Sequence, residues 1–226
     1  VYAEFYAHIR ARLARRPAGA QDVEIGSGPG TSRQFLPECV ATDLVAHPWI
    51  DRVENAYALT FPPASVANLI LLDVWHHLRY PANFLAQAAR VLTPGGRVII
   101  LEPAMSGVGR LVYGGFHHEP LGFDQAFAAA PVDLREHDGS AYFAAQSSAH
   151  RLLWRRELPA LLAGWHTAEV EWITSFAYLA SGGFTGVQLY PLVALPWLRV
   201  LDRFMGRWPR LCAARLLVVL AREGEA

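Results

Sequence analysis

A glycine-rich turn, an acid at the end of each of two apolar segments and a later run of histidines are the residues of this chain that could do chemistry. Val23-Glu24-Ile25-Gly26-Ser27-Gly28-Pro29-Gly30-Thr31-Ser32 reads as the end of a buried strand, a turn and the start of a helix. Gly26, Gly28 and Gly30 remove side chains where a ligand would lie against bare backbone. A helix start behind the turn offers free N–H groups and a positive dipole end. Glu24, just before the turn, is placed to reach a cation on the same ligand. The turn therefore suits a molecule that carries both a carboxylate and an amine. Val40-Ala41-Thr42-Asp43-Leu44 reads as a second strand, and the Asp43 carboxylate at its end can accept hydrogen bonds from ribose hydroxyls.

Glycine turns after strands also serve dinucleotides through G-x-G-x-x-G, but the last position of that pattern falls on Thr31. The run is instead G-x-G-x-G behind an acid. It resembles motif I of the Rossmann-like (class I) methyltransferases, whose cofactor is S-adenosylmethionine. Further segments follow in that family's order. Asn55-Ala56-Tyr57-Ala58-Leu59-Thr60-Phe61-Pro62 resembles the small-molecule enzymes' D-A-x-x-L-P-F segment, with Asn55 in place of the acid and Thr60 in place of proline. An Asn carbonyl can still accept a hydrogen bond from the adenine amine. Residues 68–78 form an apolar run suited to a central parallel strand, its carboxyl end directed into the ligand crevice. Residues 81–92 read as a helix opened by Pro81. Leu92-Thr93-Pro94-Gly95-Gly96 resembles the family's L-x-P-G-G turn into its fifth strand. The resemblance implies that Glu24, Gly26, Ser27, Gly28, Gly30, Asp43, Leu44, Asn55, Ala56, Tyr57 and Asp73 bind the cofactor. It implies an α/β fold with a three-layer Rossmann-like sheet, mostly parallel with an antiparallel seventh strand, plus helical insertions.

Methyl transfer is an in-line attack on a sulfonium carbon, with the nucleophile held about 3–3.5 Å away. An oxygen acceptor must also lose a proton, which favours a nearby base. His77 follows the fourth strand and matches a histidine common in the family. His117-His118-Glu119-Pro120 could supply a base oriented by a carboxylate, or two metal ligands. The proton-handling reading takes His118 and Glu119, with His77 as a further candidate, and no metal is assigned. Tyr113 and Tyr142 are possible hydrogen-bond donors.

The elements that position these groups fit one domain over residues 1–226. A first helix is expected over residues 2–15, with Arg10, Arg12, Arg15 and Arg16 as a solvated face. Residues 165–173 alternate like a half-exposed edge strand, with Ala168, Val170 and Trp172 on one face. Residues 214–221 read as an apolar central strand. Two insertions, 104–156 and 181–211, are expected to lid the acceptor site; the first is broken at Gly114-Gly115, Pro120, Pro131 and Asp138-Gly139. In the second, Leu198, Leu201, Phe204, Met205 and Trp208 share a helical face opposite Arg199, Arg203 and Arg207. Packing of that face on the core is the favoured expectation; a lid or peripheral membrane contact is the other.

Hydrophobic residues make up 53% of the chain and charged residues 18%, with a formal net charge of zero, so no global field draws nucleic acid and none is expected as partner. Cys39 and Cys212 are too few for a disulfide framework, and a cytoplasmic setting is expected. No signal peptide is read in the opening residues, and no run is long enough for a membrane span. The reading that unites these features is methyl transfer from S-adenosylmethionine to a small, partly apolar acceptor, with a lipid-like acceptor as its extension. Its rivals are a nucleotide-dependent oxidoreductase and a non-catalytic cofactor-binding interaction module.

Overall fold

The computed structural model describes residues 1–135, 141–182 and 187–222; the expected break at Asp138-Gly139 lies outside them. Apolar runs make the strands. Gln21–Ile25 (β1) pairs in parallel with Val66–Leu72 (β4), placing Val23 beside Leu69 and Ile25 beside Leu71. Leu92–Pro103 (β5) continues the parallel ladder on the far side of β4. Val40–Asp43 (β2) and Arg52–Val53 (β3) extend it beyond β1. Arg215–Arg222 (β7) lies antiparallel between β5 and Trp165–Ile173 (β6), giving the order β3-β2-β1-β4-β5-β7-β6.

Alternation along the strands divides the core into two faces. Leu69, Leu71, Ile100 and Val218 pack with Phe84, Leu85 and Ala88 of Pro81–Val91 (α3). Ile70, Ile99, Leu101 and Val219 pack with Phe5, Tyr6 and Ile9 of Tyr2–Arg10 (α1). Helix, sheet and helix are thus the three expected layers.

Several boundaries differ from the sequence reading. The α1 helix stops at Arg10, and two of the arginines after it are engaged rather than merely solvated: Arg12 pairs with Glu169 (2.5 Å) and Glu171 (2.7 Å) on the β6 edge, and Arg16 with Glu38, while Arg15 is exposed as expected. The β4 strand ends at Leu72 because Asp73 adopts a φ of +58°, and residues 75–77 form a 3₁₀ turn. A bulge between Thr167 and Glu169 turns Ala168 outward, away from the face that holds Val170 and Trp172. The final strand is not apolar throughout, since fully buried Arg215 opens it.

The first insertion holds Gly107–Gly115 (α4), capped by Ser106 Oγ accepting from the Gly109 N–H (2.9 Å), and a π-helical turn over His150–Trp154. After the short Phe176–Leu179 helix (α5), the second insertion holds Leu195–Met205 (α6) and Pro209–Cys212 (α7). The favoured packing of α6 on the core is not observed: none of its residues is fully buried, Trp197 is 76% exposed and Phe204 and Trp208 are half exposed. Polar contacts fix the helix instead. Asp202 accepts from the Phe176 N–H (2.5 Å) and Arg199 pairs with Glu4 (2.8 Å); Leu195, Leu198, Leu201, Asp202 and Met205 are partly covered.

Candidate active site

The carboxyl ends of β1, β4 and β5 open on one cavity of about 530 Å³, at the point where strand order reverses between β1 and β4. Gly26 has φ +68°, and a Cβ there would meet Val74 Cγ2 at 2.6 Å, so this residue lets the turn close against the loop after β4. Gly28 has φ +50° with nothing within 4 Å of a built Cβ, and it lines the cavity; here the missing side chain leaves room for a ligand. The helix behind the turn is only Ser32–Phe35 (α2), because Pro37 follows at once. The expected dipole end is therefore a single turn. The loop amides are also committed within the chain: Ser27 N–H donates to the Thr42 carbonyl (2.8 Å), Gly28 N–H to Asp43 Oδ2 (2.9 Å) and Gly30 N–H to the Ser27 carbonyl (2.9 Å). A tight turn must satisfy its own buried donors first.

Glu24 is 2% exposed. Its Oε1 accepts from the Tyr6 hydroxyl (2.6 Å), while Oε2 is buried without a hydrogen-bond partner. Such an oxygen is costly unless something pairs with it. Asp43 ties the turn to β2 by accepting from Gly28 N–H and Val45 N–H (3.3 Å). Asn55 Oδ1 accepts from Tyr57 N–H (2.9 Å), which leaves one lone pair for a ligand. Glu24, Gly26, Ser27, Gly28 and Asp73 line the cavity together with His77, His118 and Glu119. Gly30, Asp43, Leu44, Asn55, Ala56 and Tyr57 stand outside its lining; Leu44 is 63% exposed and Asn55 lies at the surface.

Asp73 is paired with Arg215 (2.5 Å), whose guanidinium lies over the Phe5 ring (5.3 Å) and the Tyr178 ring (5.0 Å). Sequence reasoning passed over Arg215. A single charge opening an otherwise apolar strand was its signal, since such a group is buried only against a partner.

The second end of the cavity is a histidine–glutamate cluster. Glu102 closes β5 and is fully buried, accepting from the Val74 and Trp75 amides (2.8 and 2.7 Å) and from His76 Nδ1 (2.5 Å). That bond aims His76 Nε2 at Glu119 Oε2, 3.3 Å away. His77 Nδ1 donates to the Phe143 carbonyl (2.9 Å), which leaves its Nε2 facing Glu119 Oε1 at 3.6 Å. Tyr142 (2.6 Å) and Gln146 also donate to Glu119. His118 is the outermost member, 4.0 Å from Glu119 with a side chain 70% exposed. The histidine brought closest to Glu119 is thus His76, not its sequence neighbour His118, because β4, β5 and the first insertion converge here. Burial works against a charged His76, but Glu102 and Glu119 outweigh it and raise its pKa to about 10. Burial would also raise Glu119; hydrogen bonds from His76 and Tyr142 prevail and hold its carboxyl well below the usual range.

Residues 23–100 match the model of the methyltransferase domain family. Those residues span the glycine turn, the acid of β2 and the β4–α3–β5 unit just described. Over this segment the chain resembles the S-adenosylmethionine-dependent methyltransferases. A protein of Mycolicibacterium smegmatis named a probable S-adenosylmethionine-dependent methyltransferase is 31% identical over 109 residues, covering 42% of each chain, so the alignment spans well under half of that relative. Among solved structures, an S-adenosylmethionine-dependent methyltransferase of Mesorhizobium loti superposes with a TM-score of 0.51 at 17% identity, covering 97% of this chain and 98% of that one. Geranyl diphosphate C-methyltransferase of Streptomyces coelicolor, bound to Mg2+, geranyl diphosphate and S-adenosyl-L-homocysteine, gives 0.54 at 13% identity, covering 98% and 79%. At these identities the two structures support the class I fold.

The cofactor of this family, S-adenosylmethionine, fits the residues present. Among the described residues Glu24 Oε2 has no partner, so it could accept from an ammonium, and the bare face of Gly28 would give a ligand access to the backbone. Asp43 keeps lone pairs beyond the two amides it accepts from.

Proposed function

We propose that this chain transfers a methyl group from S-adenosylmethionine to a small, partly apolar acceptor, with proton transfer handled beside Glu119. The observation that carries the reading is the shared cavity. One end holds Glu24 and Gly28; the other holds His77, His118 and Glu119, and Val112, Phe116 and Leu189 of the two insertions also line the cavity. Apolar walls with a few placed polar groups are the usual form of a small-molecule site. When bound, the cofactor supplies an electrophilic methyl on a sulfonium. The protein's own part is orientation and proton management. His77 Nε2 is the exposed-side lone pair of the cluster, fixed by the Phe143 carbonyl behind it. Glu119, anchored by Tyr142, Gln146 and His76, orients His77 and balances charge that develops on it. His118 stands at the rim as a relay to solvent.

The two insertions act as the lid in this reading. The exposed apolar face of α6, with Trp197 and Phe204 beside Arg199 and Arg203, supports peripheral contact with a lipid surface that could deliver an apolar acceptor. Among the described residues, no helix is long and apolar enough to cross a membrane. The reading is tested by incubating the protein and labelled S-adenosylmethionine with fractionated small-molecule extracts, then following label into product by mass spectrometry. His77→Ala and His118→Ala should lower turnover, His77→Ala the more, with cofactor affinity unchanged. Turnover unaltered in both variants would remove the proton-handling assignment.

A further inference from the structure

We propose that His76 Nε2, His77 Nε2 and Glu119 form a binding site for one divalent transition-metal ion in the cavity wall. Their ligand atoms all lie within 4.8 Å of one another, with His76 Nε2 to Glu119 at 3.3 Å and His77 Nε2 to Glu119 at 3.6 Å. Metal bonds of about 2.0–2.2 Å to nitrogen and oxygen set neighbouring ligand atoms about 3.0–3.5 Å apart; His76 Nε2 to Glu119 Oε2 has this spacing, and His77 Nε2 faces the other carboxylate oxygen at 3.6 Å.

A second observation is the support behind each ligand. Metal-bound histidines hand their other ring nitrogen to a carboxylate or a backbone carbonyl, which fixes tautomer and ring direction. Both arrangements are present: His76 Nδ1 meets the buried Glu102 carboxylate at 2.5 Å, and His77 Nδ1 meets the Phe143 carbonyl at 2.9 Å. Glu119 is itself oriented by Tyr142 and Gln146. The neighbouring set of Asp73, His76 and Glu102 lacks this character. There Asp73 is spent on Arg215, and Glu102 on two amides and the His76 ring.

Two imidazoles and one carboxylate suit Zn2+, Mn2+, Fe2+ or Co2+ rather than the all-oxygen shells of Mg2+ and Ca2+. Three protein ligands leave open positions, and the cluster lines the cavity. The ligand class that completes the site is a small molecule with an oxygen or nitrogen donor, whose hydroxyl the ion would acidify. That last role rests on the methyl-transfer reading; the metal site itself does not.

The test strips the full chain with EDTA and titrates it with Co2+, followed by visible absorption and by competition with Zn2+. One ion per chain is expected, with the strong d–d bands of a low-coordinate site. His77→Ala and Glu119→Gln should each weaken binding at least tenfold, while His166→Ala, a surface histidine on β6, leaves it unchanged. Calorimetry with S-adenosylmethionine on each variant shows that the fold persists. Binding below one ion per chain, or parental affinity in His77→Ala and Glu119→Gln, overturns the site. Turnover by a metal-free protein would likewise confine the ion to a non-catalytic position, leaving the methyl-transfer proposal standing. Stoichiometric metal binding with no methylated product from any extract fraction would sustain the site and defeat that proposal.

Discussion

Replacing Glu24 with Gln separates ligand binding from folding. One Glu24 oxygen accepts from Tyr6 at 2.6 Å, and the other is buried and unpartnered. If that second oxygen meets the cofactor's ammonium, Glu24→Gln puts an NH2 donor in its place and the charge-assisted hydrogen bond is lost. Bonds to charged groups contribute about 1.5–3 kcal/mol, so affinity should fall about 10- to 150-fold. Stability should move the other way. Gln keeps a carbonyl for the Tyr6 hydroxyl and removes an uncompensated buried charge, so Tm should hold or rise by about 2–4 °C. Tyr6→Phe is the contrasting variant: it strands both carboxylate oxygens, which costs about 1–3 kcal/mol of stability and lowers Tm. Isothermal calorimetry and thermal melts on the three proteins without ligand give both quantities. Affinity for S-adenosylmethionine within twofold of the parent in Glu24→Gln would refute the ammonium contact. A parallel fall in Tm would show that the charge serves the fold instead.

Gly28→Val should abolish measurable cofactor binding, because its side chain enters the open space beside the turn; the φ of +50° adds about 1–2 kcal/mol of strain, visible as a lower Tm. Asp43→Ala should weaken binding by about 1–3 kcal/mol in calorimetry, through lost ribose contacts and a freed Gly28 amide. Asn55→Asp should bind at least as well as the parent and Asn55→Leu clearly worse; parental affinity in the Leu variant would place the adenine elsewhere. His150 is 3% exposed, and its burial, then Arg110 and Arg155, lower its pKa from 6.5 to about 4. The folded chain therefore binds fewer protons than the unfolded one in that window, so denaturant melts should show stability declining as pH falls from about 6.5 to about 4, and His150→Leu should flatten the decline. Co-sedimentation with anionic liposomes should occur for the parent and drop for Trp197→Ala with Phe204→Ala; equal pelleting of both would remove the lipid-surface reading.

The glycine turn, the acid that closes β2 and the start of α3 were legible in the sequence because their determinants are local. Gly26 and Gly28 answer to backbone conformation within a few residues, Asp43 closes a short apolar strand, and Pro81 opens α3 where the pattern placed it. The β6 limits were equally readable, since a period of two needs only a neighbouring sheet. Other features depended on long-range partners. The turn's amides are committed because β2 lies beside it, and Glu24 shares its carboxylate with Tyr6 from α1. Arg215 can be buried only because Asp73, 142 positions earlier, meets it. The acceptor end was decided almost wholly by tertiary structure. Glu119 reads beside His118 in the chain, yet the sheet carries His76 closer to it and sets Glu102 behind that ring. Spacing along a sequence fixes which groups share a helix or strand face, but an irregular insertion has no period. Where its side chains land depends on which strand ends it crosses.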